Sequence, residues 1–396
     1  MKDRILIYGS ALLRGCAVSL SSIILAFYLS LKGLGVGWIG LYVSVGLMGS
    51  ALATGMVIYL SRWMLKKHML ILISLCMTLG GVAIIFIQNS FFLFAVLFLG
   101  MINGMGRDRG ASMTLEQSIL PMSATHQERT NIFAWYNVLI DIGHALGSLL
   151  SFFPAFLRTH HQMSALHSYQ FVWGLYSVLC ALSGLVIMGL SCERHINVSK
   201  SHTALLPDSK SIIRKFAMLA GLDSFGGGFL SNTLITYWFF KHFGVDETLL
   251  GPMFFIARIA NIFSHFGAAW LANRIGLIKT MVYTHVPSSL LLITIPFMPN
   301  LTVAVILFLI RESLVEMDVP TRQSYIMAVV RPEERVHASG ITNLTRMTGW
   351  AVAPMVAGAL SSIALSLPII IGPSLKIIYD VLLYQAFLKI KPPEES

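Results

Sequence analysis

Apolar runs of about twenty residues, separated by short polar turns, recur along the whole chain. A helix rising about 1.5 Å per residue needs about that length to cross a hydrocarbon core about 30 Å thick. The runs do not alternate polar and apolar over about ten residues, as the strands of a membrane β-barrel would. They predict spans at roughly 5–31, 38–60, 69–87, from 91 through 116, 131–153 and 171–190. A second series follows at 216–240, 251–272, 281–297, from 301 through 335, then the helix after it, and 367–388, about twelve in all. The tenth is expected to continue without interruption into 311–335, which is charged where a lipid-facing helix is oily.

The two series are copies of one another. Gln117-Ser118 and Glu128-Arg129 reappear as Gln323-Ser324 and Glu334-Arg335 at one constant separation, each followed by a helix with aligned Asn137/Asn343 and Gly143/Gly349. At a second constant separation, Arg14, Tyr28 and Lys32 align with Asp223, Tyr237 and Lys241. The chain is therefore expected to form an N-terminal six-helix half (1–190), a basic linker with Pro207 (191–215) and a C-terminal six-helix half (216–396) with a short polar tail. Parallel repeats with polar groups at mid-membrane suit alternating access, in which one half rocks against the other around a fixed site.

Composition agrees with this all-α polytopic reading. Of 396 residues 56% are hydrophobic and 12% charged, against a usual charged share of about 25%, and mean hydropathy is +0.74. The net charge of +10 is used for orientation and gives no ground for a nucleic-acid partner. With the amino terminus inside, most Lys and Arg fall on cytoplasmic ends, and only Lys32, Arg158 and Lys241 fall outside. That bias predicts both termini in the cytoplasm. Cys16, Cys76 and Cys180 lie in spans and Cys192 at a cytoplasmic end, so neither a disulfide framework nor a metal site is expected.

Charges inside spans are the candidate chemistry, because each costs about 2.5–3.5 kcal/mol at the bilayer centre unless it faces protein or water. Asp223 leads: a desolvated carboxyl can hold a proton and release it when water or a cation arrives. The competing reading is a permanent ion pair with Arg14. Glu312, Glu316 and Asp318, beside Arg311, form the densest group, and Glu312 and Glu316 share a helix face. Asp141 is a further midplane acid, with a role in proton coupling or in pairing. Arg258 and Arg346 are candidate anion anchors, or partners of Asp141 and Asp223; Asn232, Asn261 and Trp350 complete the candidate substrate contacts. Arg107, Asp108, Arg109, Glu128, Arg129, Asn273, Arg274, Glu334 and Arg335 are expected at a cytoplasmic gate. His144 and His265 read as interhelical hydrogen-bond residues. His160, His161 and His167 are placed in an external loop whose spacing matches no metal motif.

The chain resembles the major facilitator superfamily over nearly its whole length. Residues 269–279, AWLANRIGLIK, look like that family's loop motif, with Asn273 in the aspartate position, and 61–67, SRWMLKK, is the decayed first-half copy. Gly349, Ala353-Pro354 and Ala357-Gly358 look like the glycine–proline motif of the drug/proton antiporters, which in that branch belongs to the fifth span; here the fifth span has Gly143 and Gly147-Ser148 without proline. The resemblance implies a secondary transporter in the plasma (bacterial inner) membrane, working as a monomer without a cofactor. A proton gradient would drive a small organic solute, with export favoured. The alternatives are a carrier of organic anions or siderophore-like chelates, and a membrane sensor or assembly protein that no longer transports. An enzyme is not expected, since no nucleophile–base set, P-loop or metal motif is present.

Overall fold

The computed structural model describes residues 2–60, 63–87, 89–108, 110–120, 129–191, 207–330 and 334–388. Among them every regular element is helical, and no strand occurs. The first series comprises α1 (Lys2–Leu31), α2 (Val36–Leu60), α3 (Lys66–Phe86), α4 (Ser90–Leu99), α5 (Ala111–Ile119), α6 (Arg129–Leu150), α7 (Phe153–His161) and α8 (Ala165–Met188). The second comprises α9 (Pro207–Gly228), α10 (Asn232–Phe243), α11 (Glu247–Ile275), α12 (Leu277–Thr294), α13 (Leu301–Val315), α14 (Asp318–Val329), α15 (Arg335–Ile363) and α16 (Leu367–Phe387).

Eight helices among the described residues are by themselves long and apolar enough to cross a membrane. Three further expected spans are interrupted where the sequence turns polar or glycine-rich, between α4 and α5, between α9 and α10 at 229–231 and between α13 and α14 at 316–317. Counting each interrupted pair once, and α6 with α7 as the single span Trp135–His161, gives twelve crossing segments among the described residues. Two expectations are thereby corrected. The tenth span does not run straight through its charges, since α13 ends at Glu316 and α14 restarts at Asp318. His160 and His161 lie in α7 and His167 in the first turn of α8, where its backbone N–H is capped by Ser164 Oγ, so none is in an extended loop.

The chain divides into two compact units. Unit 1 is Met1–Asn197 with Ser231–Arg258, and unit 2 is Val198–Leu230 with Ile259–Ser396. In unit 1, α1 is the hub, packed on α6 and α8 and met by α10. In unit 2, α9 has the same role against α15 and α16, while α12 packs on α16, α13 and α14. Large apolar side chains such as Phe86, Phe91, Phe263 and Ile363 are strongly exposed, as a lipid-facing surface requires.

The aligned glycines are contact points between helices. A Cβ on Gly147 of α6 would stand 2.0 Å from the Cys16 carbonyl oxygen of α1, and one on Gly143 2.3 Å from that of Leu12. Gly349 of α15 meets the Gly221 carbonyl and Phe225 amide of α9 at 2.9 Å in the same sense. Small residues allow backbones to close up where lipid gives no hydrophobic drive for association. Gly147→Leu is expected to cost about 1–3 kcal/mol or more by overpacking, read as a lower melting temperature in detergent. Gly55→Ala, where nothing lies within 4 Å, should leave the melt unchanged.

Candidate functional site

Each unit buries one ion network on its hub helix. In unit 1, Arg14 sits in the middle of α1 and is 2% exposed. Its Nε donates to Asp108 Oδ2 at 2.5 Å, and Nη1 and Nη2 donate to the two Glu116 oxygens at 2.7 and 2.6 Å. One guanidinium thus serves two carboxylates, the second in the two-pronged geometry that suits this side chain. Tyr136 of α6 donates to Glu116 Oε2 at 2.7 Å. Asp108 is held by its backbone as well: its N–H donates to His144 Nε2 at 3.1 Å, and His144 Nδ1 is 3.6 Å from Asp141 Oδ1.

The break between α4 and α5 makes this placement possible. A continuous helix would satisfy its own backbone groups; the break leaves carbonyls and amides that side chains must take up. Asn103 receives the Met105 N–H at 2.7 Å and donates to the Arg107 carbonyl at 2.6 Å. Gly106 turns through φ +73, the left-handed region that a Cβ disfavours, and its carbonyl accepts from Arg258 Nη2 at 3.5 Å. Arg258 also donates to Asn232 Oδ1 at 3.3 Å. The Gly104 carbonyl accepts from both Thr233 N and Thr233 Oγ1 at 3.1 Å.

In unit 2, Asp223 of α9 is 3% exposed and receives cations from three helices. Lys376 Nζ of α16 lies 2.8 Å from Oδ1, while Arg322 Nη1 of α14 and Arg346 Nη1 of α15 lie 3.2 and 3.5 Å from Oδ2. Arg322 also binds Asp318, one helical turn away. His285 of α12 stands between two acids: Nδ1 is 2.9 and 3.0 Å from the Asp380 oxygens, and Nε2 is 3.9 Å from Asp223 Oδ1. The Arg346 guanidinium lies over the Trp350 ring at 4.8 Å. A separate group joins Arg311 to Glu312, which accepts from Asn261 Nδ2 at 3.2 Å.

These positions sort the candidates. Arg14 and Asp223 are both buried at hub centres, and against the competing reading of a pair between them each takes its partners from within its own unit. Asp108, placed at a cytoplasmic gate, is instead a buried partner of Arg14. Arg346 does meet Asp223; Arg258 meets Asn232 and a backbone carbonyl. Arg107 is half-buried, with its carbonyl bound by Asn103. Glu316 is buried at the end of α13 and Glu334 just before α15. Asn273 and Arg274 are exposed at the end of α11, where Arg274 stacks on Trp270. Arg109 and Glu128 lie outside the described residues, as do the side chains of Arg129 and Arg335.

Glu116, Tyr136, His285, Lys376 and Asp380 were not among the candidates. One signal was in reach: the register that aligns Gln117 with Gln323 also sets Glu116 over Arg322. Arg14–Glu116 and Asp223–Arg322 are therefore the same pair in the two repeats with the signs exchanged.

Two all-helical units, each with an ion network buried around its hub helix, are the build of a membrane transporter, and the family match bears this out. The chain belongs to the Major Facilitator Superfamily, whose model matches residues 110–354. Over 98% of its length it is 23% identical to an uncharacterised membrane protein of Saccharomyces cerevisiae, YJR124C, covering 95% of that protein. Among solved structures it is similar in fold to the inward-open xylose transporter XylE from E. coli, with a TM-score of 0.76 at 13% identity over 99% of this chain and 98% of that one. It is also similar to the human organic anion transporter MFSD10, with a TM-score of 0.64 at 14% identity over 96% and 99% of the two chains.

Proposed function

We propose that this protein is a proton-coupled secondary transporter that moves a small organic solute by alternating access, in the direction of export. The observation that carries the coupling is the sharing of one buried guanidinium, Arg14, by two buried carboxylates, Asp108 and Glu116. One cation neutralises one of them, and a second negative charge in a membrane interior calls for a proton. Binding and loss of that proton on the acids beside the hub helix change which partners Arg14 holds, the kind of two-state element that links an ion gradient to a rearrangement. The likeness of Gly349–Gly358 to the glycine–proline helix of drug/proton antiporters supports export. The positive-inside bias supports a plasma (bacterial inner) membrane location with both termini cytoplasmic, and the chain is read as a functional monomer.

The test is flux in reconstituted vesicles with and without an imposed pH gradient. Wild-type flux should follow the gradient. Glu116→Gln should keep solute exchange at equal pH and lose at least about tenfold of the gradient-driven component, the size of effect expected when a proton-carrying group is removed. Wild-type flux indifferent to the gradient would end the coupling claim.

A further inference from the structure

The network around Asp223 has a feature that a purely structural ion cluster does not need. Three cations, Lys376, Arg322 and Arg346, converge on one carboxylate from three helices. His285, 1% exposed, presents a ring nitrogen, Nε2, that makes no hydrogen bond among the described residues and is aimed at the same carboxylate from 3.9 Å. Gly226, Gly227 and Gly228 end α9 beside them; Gly226 and Gly228 are closely packed, while an added Cβ at Gly227 would have Trp350 Nε1 at 3.5 Å and Lys376 Nζ at 3.7 Å as its nearest neighbours. A broken helix bordering a buried charge cluster is where transporters of this build place a ligand.

We propose that Lys376, Arg322 and Arg346 form the recognition site for a small organic monoanion bearing a carboxylate, with Asp223 as the resident counter-anion that the cargo displaces and His285 Nε2 as the site of a proton that enters with it.

Charge balance selects the cargo. The acids in the network are Asp223 on α9, Asp318 on α14 and Asp380 on α16; the cations are Arg322 on α14, Arg346 on α15 and Lys376 on α16. Among the described residues α12 also faces Tyr379 and Tyr384 on α16, the Tyr379 ring 6.1 Å from His285, and packs on α13, which carries Arg311 paired with Glu312 and ends at the buried Glu316. With His285 neutral the three acids offset the three cations. An incoming monoanion adds one negative charge, and one proton on Nε2 restores neutrality while giving His285 a donor towards the displaced Asp223. Histidine is the side chain whose ordinary range permits that exchange near neutral pH. The phosphate dianion, which prevails at about pH 8, would need two protons, and the network offers one histidine. Carboxylate also fits the fork of an arginine in two-pronged geometry, and Trp350, flat beneath Arg346, offers the cargo an apolar face.

The inference rests on the transporter reading for its physiological sense and departs from its export direction, since a proton bound together with the cargo moves with it and couples to uptake; it is tested by binding alone. Purified protein in detergent is titrated with lactate, benzoate, inorganic phosphate, glucose and tetraphenylphosphonium at about pH 6 and about pH 8, on either side of the ordinary histidine range, while melting temperature is followed. Lactate or benzoate should raise the melting temperature, more at the lower pH. At about pH 8, where it is mainly a dianion, phosphate should act more weakly, and glucose and the lipophilic cation should not act at either pH. In unbuffered solution with a pH-sensitive dye, about one proton should be taken up per carboxylate bound, and affinity should fall about tenfold per pH unit above the histidine range, as one-to-one linkage demands. His285→Gln, which keeps a donor for Asp380, should abolish that slope, and Lys376→Gln should weaken binding at least about tenfold, as loss of a charged hydrogen bond does. If neither variant folds, the wild-type slope and proton uptake still decide. No stabilisation by either carboxylate at either pH would overturn the proposal, as would binding without proton uptake. Carboxylate binding without flux in vesicles would sink the transport reading and leave this site standing; gradient-driven flux of a neutral solute without anion binding would do the reverse.

Discussion

Arg14→Met is expected to destabilise the protein by about 3–5 kcal/mol, the range for removing one partner of a buried ion pair. Little folded protein should then survive a mild thermal challenge in size-exclusion profiles. The reason is local. Asp108 and Glu116 would face each other in the interior with Tyr136 as the remaining side-chain donor to Glu116 among the described residues. Both carboxyls are buried, so they must take up protons or drag the α4/α5 junction apart. Adding Asp108→Asn and Glu116→Gln to the same chain should recover more than half of the loss, because neutral partners remove the repulsion even though they leave weaker hydrogen bonds. An Arg14→Met protein as stable as the wild type would mean that the guanidinium is not what neutralises these acids.

Asp223→Ala should be damaging for the opposite reason. Lys376 would lose its salt-bridge partner, and Arg322 and Arg346 would crowd around a small vacated space with Asp318 as the nearest acid. A loss of a few kcal/mol is expected from uncompensated buried charge. Two rescues separate this cause from simple loss of packing. Formate or acetate, small enough to enter the vacated space, should raise the melting temperature of Asp223→Ala by several degrees more than that of the wild type. A second substitution, Lys376→Met, should recover part of the stability by removing one of the stranded cations. Equal responses of wild type and variant to formate would show that the cations there do not seek an anion.

The two networks carry opposite surpluses around their hub residues. Two acids surround one cation at Arg14, and three cations surround one acid at Asp223. Gene duplication followed by a sign exchange at aligned positions, Arg14 with Asp223 and Glu116 with Arg322, explains how one scaffold came to hold both. The shared ancestry persists in small details: Lys32 lies over the ring of Tyr28 at 4.9 Å, and Lys241 over that of Tyr237 at 5.7 Å. A proton site and an anion site on the two hub helices would be the natural divergence of such a pair.

Much of this molecule was legible along its length. Run lengths set the number of crossings, the recurrence of Gln-Ser, Glu-Arg, Asn and Gly at constant separations revealed the repeat, and charge inside apolar runs marked Arg14 and Asp223 as buried. These properties are local: the cost of a charge in hydrocarbon, or of a backbone group without a partner, is the same whichever helix lies alongside. Which helix does lie alongside is another matter. Arg14 binds acids 94 and 102 residues away, and Asp223 binds cations 99 and 153 residues away, so a pattern read along the chain left open whether Arg14 and Asp223 pair and did not reach their actual partners. The interruptions of the fourth and tenth spans were likewise invisible, because a helix gives up its own backbone bonds only where neighbouring side chains such as Asn103, His144 and Arg258 can replace them, and those neighbours exist only once the chain has folded.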